Sequence, residues 1–504
     1  MTATTTTPTP TQVSSDAGSV IQGLKAGAFL GGTWRDGSSD RKITVTSAVN
    51  GAELRSFPGA SAADVDEAYD AAARAQGEWA AAPPAERAAV ISRAAEILER
   101  RRAEITALLR VESGSSALKA NIEVSSAIGI TRESATFPNR AHGTLHPSAF
   151  PGKENRVYRE ARGVIGVISP WNFPLHLSIR SVSPALALGN AVVLKPASDT
   201  PVSGGLIVAE IFEEAGLPAG LLSVVAGAGS EIGDHFVQHP IPSMISFTGS
   251  TPVGQRVGSL AAQGHMKHVA LELGGNAPLV VLDDADLDGA VNGALMAKFL
   301  HQGQICMAAN RIIVDAAVYD DFVERFAARA KQLVAGDTTD DAVLLGPLVN
   351  DDQVRTVTRL IDSARQQGAR EVVGGQLDGR LIGPHVFADV TEDMDIARNE
   401  IFGPAIGIIK ALDEADALRI ANDTEFGLSS AVFTRDVERG VRFARGIKAG
   451  MTHVNDSTVN DEPNVMFGGE KNSGIGRFNG EQAIEDFTTL HWVGVRTAMG
   501  PVPF

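Results

Sequence analysis

The chain of 504 residues has a single cysteine, Cys306, so no internal disulfide can form, and cysteine poverty fits the reducing cytoplasm. No apolar run approaches the roughly 20 residues of a membrane span, and residues 1–16, threonine-rich without a positive start, read as neither a signal peptide nor an anchor. A basic surplus is missing too. With 44 Lys and Arg against 60 Asp and Glu, the formal net charge of −16 argues against a nucleic-acid or anionic-membrane partner, since both demand a cationic surface. The 11 histidines are scattered without ligand spacing, so no metal site is expected, and there is no internal repeat. What remains is an ordinary globular composition, 44% hydrophobic and 21% charged, long enough for two or three domains.

The threonine-, proline- and serine-rich opening buries too little apolar surface to offset ordering, and disorder is expected over residues 1–18, with order beginning near Leu30. From 61 to 108 an alanine-rich stretch places Val65, Ala68, Tyr69 and Ala72, then Ile91, Ala94, Ile97 and Leu98, at helical spacing. Short β-branched runs then alternate with helical patterns: Val164 to Ile168, Ala191 to Leu194, Leu222 to Val225 and Met244 to Phe247. This predicts an α/β fold with an open parallel sheet covered on both faces. Runs at 277–282 and 311–314 predict a second α/β domain after about Leu273.

In an open parallel sheet the ligand lies beyond the carboxyl ends of the strands. Ser169-Pro170-Trp171-Asn172-Phe173-Pro174, Lys195-Pro196-Ala197-Ser198 and Thr248-Gly249-Ser250-Thr251-Pro252-Val253-Gly254 follow three of the runs. The last puts hydroxyls, a proline and glycines at a helix start, where free N–H groups can cradle phosphates. It lacks the G-x-G-x-x-G spacing of the usual dinucleotide fingerprint, and a capped helix is the plain alternative. Cys306 lies in His301-Gln302-Gly303-Gln304-Ile305-Cys306-Met307, a small, glycine-bearing context suited to a nucleophile, although a lone cysteine can also be a buried small hydrophobe. Glu272, inside Leu271-Glu272-Leu273-Gly274-Gly275-Asn276, is a carboxylate in an apolar stretch; burial would raise its pKa toward that of a general base, unless a cation pairs with it.

Seven motifs in order resemble the aldehyde dehydrogenase superfamily over residues 28–495: Pro170-Trp171-Asn172-Phe173-Pro174, Lys195-Pro196, Phe247-Thr248-Gly249-Ser250, Leu271-Glu272-Leu273-Gly274-Gly275, Gly303-Gln304-Ile305-Cys306, Glu400-Ile401-Phe402-Gly403-Pro404 and Phe467-Gly468-Gly469. His301, Met307 and Asn460-Asp461-Glu462-Pro463-Asn464 are most similar to the branch acting on benzaldehyde, vanillin and salicylaldehyde. The resemblance implies that Cys306 attacks the aldehyde, that Asn172 and the Cys306 backbone N–H hold the oxyanion, and that Glu272 is the base for thioester hydrolysis. It implies NAD or NADP as cofactor, with Ile168, Ser169, Pro170, Trp171, Lys195, Ser198, Gly229, Phe247, Gly249, Ser250, Val253, Gly254, Leu273, Glu400 and Phe402 around it. Ser198 stands where members preferring NAD commonly have a glutamate, so NADP should be tolerated; Asp199 beside it pulls the other way.

The resemblance further implies an aldehyde tunnel lined by Phe173, Leu177, Arg180, Ile305, Val459 and Phe467. Arg180 is either a packing or ion-pair arginine or, as in succinate-semialdehyde enzymes, a carboxylate clamp. A succinate-semialdehyde or CoA-acylating activity is therefore the alternative to oxidation of an aromatic aldehyde. Residues 19–144 and 163–273 would form the dinucleotide-binding domain, 274–480 the catalytic domain, and 145–162 with 481–504 a β element joining a homodimer or homotetramer.

Overall fold

Strands buried on both faces need covering layers on both, and the computed structural model, which describes residues 9–497, builds two such sheets. In the first, the strands Leu222–Val225, Ala191–Lys195, Val164–Ile168, Met244–Thr248 and His268–Glu272 lie side by side in that order, all parallel. Antiparallel strands extend both edges, Ala28–Leu30 with Thr33–Arg35 on one side and Gly474–Ile475 on the other. The helices Ala62–Ala81, Pro174–Ala187, Ile207–Glu214 and Thr251–Ala261 pack against these strands. From Val164–Ile168 the chain fills one side of the sheet, then crosses to Met244–Thr248 on the other. The strand order reverses there, which opens a crevice beyond Ile168 and Thr248.

The second sheet runs Arg370–Gly374, His385–Ala388, Ala405–Ala411, Ala309–Asp315, Ala277–Val281, Ala431–Phe433, His453–Val454, parallel except for its first strand. The period of two is visible in its central strands: Leu279, Val281, Ile312 and Val314 enter one core with Phe322 and Phe326, whereas Val280 and Ile313 enter the opposite core with Leu360 and Ile361. Residues 273–276 connect Glu272, the last residue of the first sheet's strand, directly to Ala277 of the second. Anything held near Glu272 therefore sits between the two sheets.

The opening of the chain departs from expectation. Residues 1–8 lie outside the described residues, but Pro10–Gly23 is a helix, not disorder. Thr9 caps it by accepting from the Gln12 N–H at 3.3 Å, and Val13, Ala17 and Ile21, four residues apart, are buried, the first two against Ala107 and Val111. That stripe was hidden by the polar average around it. The segment after 480 also differs: Gly480–Phe487 is a helix, and only Thr488–Arg496 pairs with Lys153–Ala161, which pairs in turn with Thr144–His146. Residues 498–504 are outside the described residues.

Candidate active site

Cys306 follows the helix Leu287–Phe299 through a turn of unusual backbone. His301, Gln302 and Gly303 have φ of 50°, 57° and 74°, the left-handed region that costs a side-chain-bearing residue energy unless its surroundings impose it. Here they do. Gln302 donates from Nε2 to the carbonyls of Gly114 and Pro347, both at 3.0 Å, and a Cβ on Gly303 would lie 2.4 Å from the Gly403 carbonyl oxygen. On the other side a Cβ at Gly275 would lie 2.1 Å from the Cys306 carbonyl oxygen, so only glycine lets the 273–276 connection pass this close to the thiol.

Asn172 and Phe173 follow the strand Val164–Ile168 and precede the helix Pro174–Ala187. The Asn172 amide donates to the Gln304 carbonyl at 3.0 Å, which ties it to the cysteine turn and leaves its second N–H for another acceptor. Glu272 is buried, and among the described residues no side-chain donor reaches either carboxylate oxygen, the Gly469 N–H giving only a weak backbone contact. Burial pushes its pKa up to about 8, against a smaller opposing pull from Arg180 and Arg477. Burial, then the charges of Glu272 and Glu400, push the Cys306 thiol up to about 12. The thiol and the carboxylate thus feel one another across the site.

Arg180 is not a free cation. It is bonded to Asp461, sets its guanidinium 2.9 Å from His176 Nε2, and lies 3.9 Å from the centroid of the Phe467 ring. His176 is itself 2.8 Å from Asp461. Burial alone would raise the Asp461 pKa, but the Arg180 charge and the bond to His176 overcome it and hold the carboxyl well below its usual range. With these residues, Asn172, Phe173, Leu177, Ile305, Cys306, Val459 and Phe467 enclose a chamber of about 180 Å³. All six tunnel residues named from sequence line it, together with Ile122, Ser126, Met296, Leu300 and Met307, which sequence reasoning missed.

A second, larger groove of about 690 Å³ runs along the carboxyl ends of the first sheet. Ile168, Ser169, Pro170, Trp171, Lys195, Ser198, Gly229, Phe247, Gly249, Ser250 and Val253 line it, as do Asp199 and Arg256. Lys195 is buried, its pKa lowered to about 8 by desolvation, and its only acceptor among the described residues is the Pro196 carbonyl at 3.4 Å. The remaining four predicted cofactor residues stand outside the groove wall. Gly254 makes room for Leu273, whose Cδ2 would lie 2.0 Å from a Cβ there. Half-buried Glu400 accepts from the Gly275 N–H at 2.8 Å, and Phe402, with φ of 51°, sets its ring edge-on to Trp171 at 5.4 Å.

A half-buried thiol lines the chamber, Trp171 of the groove wall adjoins Asn172 of the chamber wall, and the sequence pattern of the aldehyde dehydrogenase family matches residues 34–493. This chain belongs to the aldehyde dehydrogenase family. It is 60% identical over 469 residues to the vanillin dehydrogenase of Corynebacterium glutamicum, covering 93% of this chain and 97% of that one. To the benzaldehyde dehydrogenase YfmT of Bacillus subtilis it is 48% identical, over 94% of this chain and 98% of the relative. The crystal structure of an NAD-dependent benzaldehyde dehydrogenase from Corynebacterium glutamicum superposes with a TM-score of 0.87 at 56% identity, covering 93% of this chain and 98% of that one. In this aldehyde dehydrogenase, Lys298 is a further buried group that sequence reasoning did not single out: it has no hydrogen-bond partner among the described residues, and burial takes its pKa to about 7. Its place on an alanine-rich helix gives no sign of burial in the sequence.

Proposed function

We propose that this enzyme oxidises neutral aromatic aldehydes of the benzaldehyde and vanillin type to carboxylic acids with NAD, through a thiohemiacetal and a thioester on Cys306. The chamber carries the reading. Its volume of about 180 Å³ is close to the roughly 150 Å³ apolar cavity that accepts benzene in an engineered protein, and Phe173, Leu177, Ile305, Val459 and Phe467 give it an apolar lining. The relatives named for benzaldehyde and vanillin support the same substrate class. Arg180 already has Asp461 as its counter-ion, so a substrate carboxylate would have to compete with it; this disfavours the succinate-semialdehyde alternative.

The larger groove fits a dinucleotide. Its volume lies within the about 300–1,000 Å³ of ligand sites. Lys195 has N–H capacity to spare, and Gly229 adjoins it, a Cβ there coming within ordinary contact of its Nζ at 3.9 Å. The helix Thr251–Ala261 begins at Ser250 with no side chain capping its N–H groups. Lys195 and Ser198 would hold the adenosine ribose, Ser250 and the helix start the phosphates, and Glu400 and Phe402 the nicotinamide end. Bound there, the dinucleotide would supply the hydride acceptor.

The chain's own residues do the rest. Burial and the charges of Glu272 and Glu400 raise the Cys306 thiol, so its attack is coupled to release of its proton to solvent, and Glu272 is kept for the later hydrolysis. The second Asn172 N–H and the Cys306 backbone N–H stabilise the oxyanion, a donor type whose loss typically costs about a hundred to a thousandfold in rate. Glu272 then takes the proton from the water that cleaves the thioester, which a CoA-acylating enzyme would not need. Ser198 is a small neutral group without charge to repel a 2′-phosphate, so NADP should also be used. Residues 144–161 and 488–496 form the surface of a homodimer or homotetramer, and a reactive single thiol suits a cytoplasmic site.

The direct test is absorbance of reduced cofactor with benzaldehyde, vanillin and succinate semialdehyde, each with NAD and NADP. The aromatic aldehydes should have kcat/KM at least tenfold above the semialdehyde; a preference for the semialdehyde would make Arg180 a carboxylate clamp and overturn the substrate class.

A further inference from the structure

The helix Ala117–Ser134 carries two ionisable side chains one turn apart, Lys119 and Glu123, both 0% exposed, that no step above uses. Lys119 Nζ donates to Glu123 Oε2 at 2.5 Å and to the backbone carbonyl of Asn172 at 2.6 Å, and lies 4.2 Å from the centroid of the Phe173 ring. Through its other oxygen Glu123 accepts from the backbone N–H groups of Leu175 at 2.9 Å and His176 at 3.3 Å, in the first turn of the helix Pro174–Ala187. The two side chains thus grip Asn172, Phe173, Leu175 and His176 in succession.

Stability alone is a weak reason for this arrangement. The cost of desolvating two charges largely cancels their attraction, and apolar residues of similar size often serve a buried site as well. What an apolar pair could not supply is the bond to the Asn172 carbonyl. That carbonyl belongs to the residue whose side-chain amide bonds Gln304, two positions before Cys306. Holding it fixes where the amide can point. On the far side the His301 ring packs edge-on against Phe173 at 5.9 Å, so the loop is clasped from two directions.

We propose that Lys119 and Glu123 are positioning residues that fix the Asn172–Phe173 loop against Cys306, so that the Asn172 amide is aimed before the aldehyde enters. This rests on the reading of Asn172 as the oxyanion donor. A displacement of about 1 Å at a reacting centre can cost about a hundredfold in rate.

The test compares Lys119→Met, Glu123→Gln, the double variant and Asn172→Ala by thermal unfolding, NAD binding, and the first-order rate constant of the first-turnover burst of reduced cofactor with benzaldehyde. Each single variant leaves one buried charge without its partner and should unfold at a lower temperature. The double variant should regain the wild-type unfolding temperature and NAD affinity, yet keep a burst rate constant 10- to 100-fold below wild type. Adding the double substitution to Asn172→Ala should cause no further loss, since residues acting as a unit are not additive. A double variant with wild-type stability and a wild-type burst, beside a slow Asn172→Ala, would overturn the positioning role alone; a fast Asn172→Ala would overturn the oxyanion assignment beneath it. A first-order constant does not depend on how much of the sample is folded, so the burst of Lys119→Met separates the same outcomes if the double variant folds poorly.

Discussion

Glu272 shows what one residue can carry. Both its oxygens are buried without a side-chain donor among the described residues, a cost tolerated only where the group has a task or a water to meet. A base must be ionised to accept a proton, and burial has moved that ionisation to about 8, so turnover limited by thioester hydrolysis should climb with pH and level off above about pH 8. In Glu272→Gln the burst of reduced cofactor should survive while steady-state turnover falls by roughly a hundred- to ten-thousandfold, and the rise near pH 8 should vanish. Stopped-flow and steady-state rates across pH 6 to 10 (about two decades either side of the transition) decide it; an unchanged steady-state rate in the glutamine variant would remove Glu272 from the mechanism. Such residues were legible in the sequence because their motifs pair a chemical group with glycines at fixed places, Gly275 and Gly303 among them. Lys119 and Glu123 were not, because an i, i+4 ion pair on a helix reads as a solvated surface pair.

The helices and strands were legible where composition and period agree. The run from Val164 to Ile168 is apolar over a strand's length and that from Met244 to Phe247 is apolar but for Ser246, and each became a buried strand. Pro10–Gly23 failed that standard, since Val13, Ala17 and Ile21 are interrupted by three serines, a glycine and an aspartate, and periodicity had to outweigh composition. The structure supplies the missing term, because the stripe gains its stability from the helix Arg102–Glu112, far along the chain, rather than from its own propensity. Val13→Asp would place an unpaired charge in that small core. The expected outcome is a lower unfolding temperature and protease cleavage near residues 24–27, with kcat/KM for benzaldehyde unchanged, because the helix does not line either concavity. Loss of activity in step with the cleavage would tie the helix to the site; resistance equal to wild type would mean that its packing is not needed.

At the scale of the molecule, two sheets joined through residues 273–276 bring together a groove made by one and a cysteine turn carried by the other, which explains why the site's residues are spread from Ile122 to Phe467. The sheet order that opens the groove was inferable from the alternation of strand and helix, but the meeting of the sheets was not, since it depends on glycines such as Gly275 being overlain by a distant turn. The ribbon of Thr144–His146, Lys153–Ala161 and Thr488–Arg496 belongs to neither sheet and exposes Leu145, Tyr158, Leu490 and Trp492. Its outer strand, Thr488–Arg496, pairs on one side only among the described residues, and that open edge beside four exposed hydrophobic side chains is the surface the proposed oligomer would use. Leu490→Glu combined with Trp492→Glu should therefore convert the assembly to monomers, measured by light scattering on a sizing column, with Cys306 still alkylated stoichiometrically because the chamber is built within one chain. A variant of unchanged mass would place the contact elsewhere, and a monomeric wild type would mean that the exposed ribbon has another use.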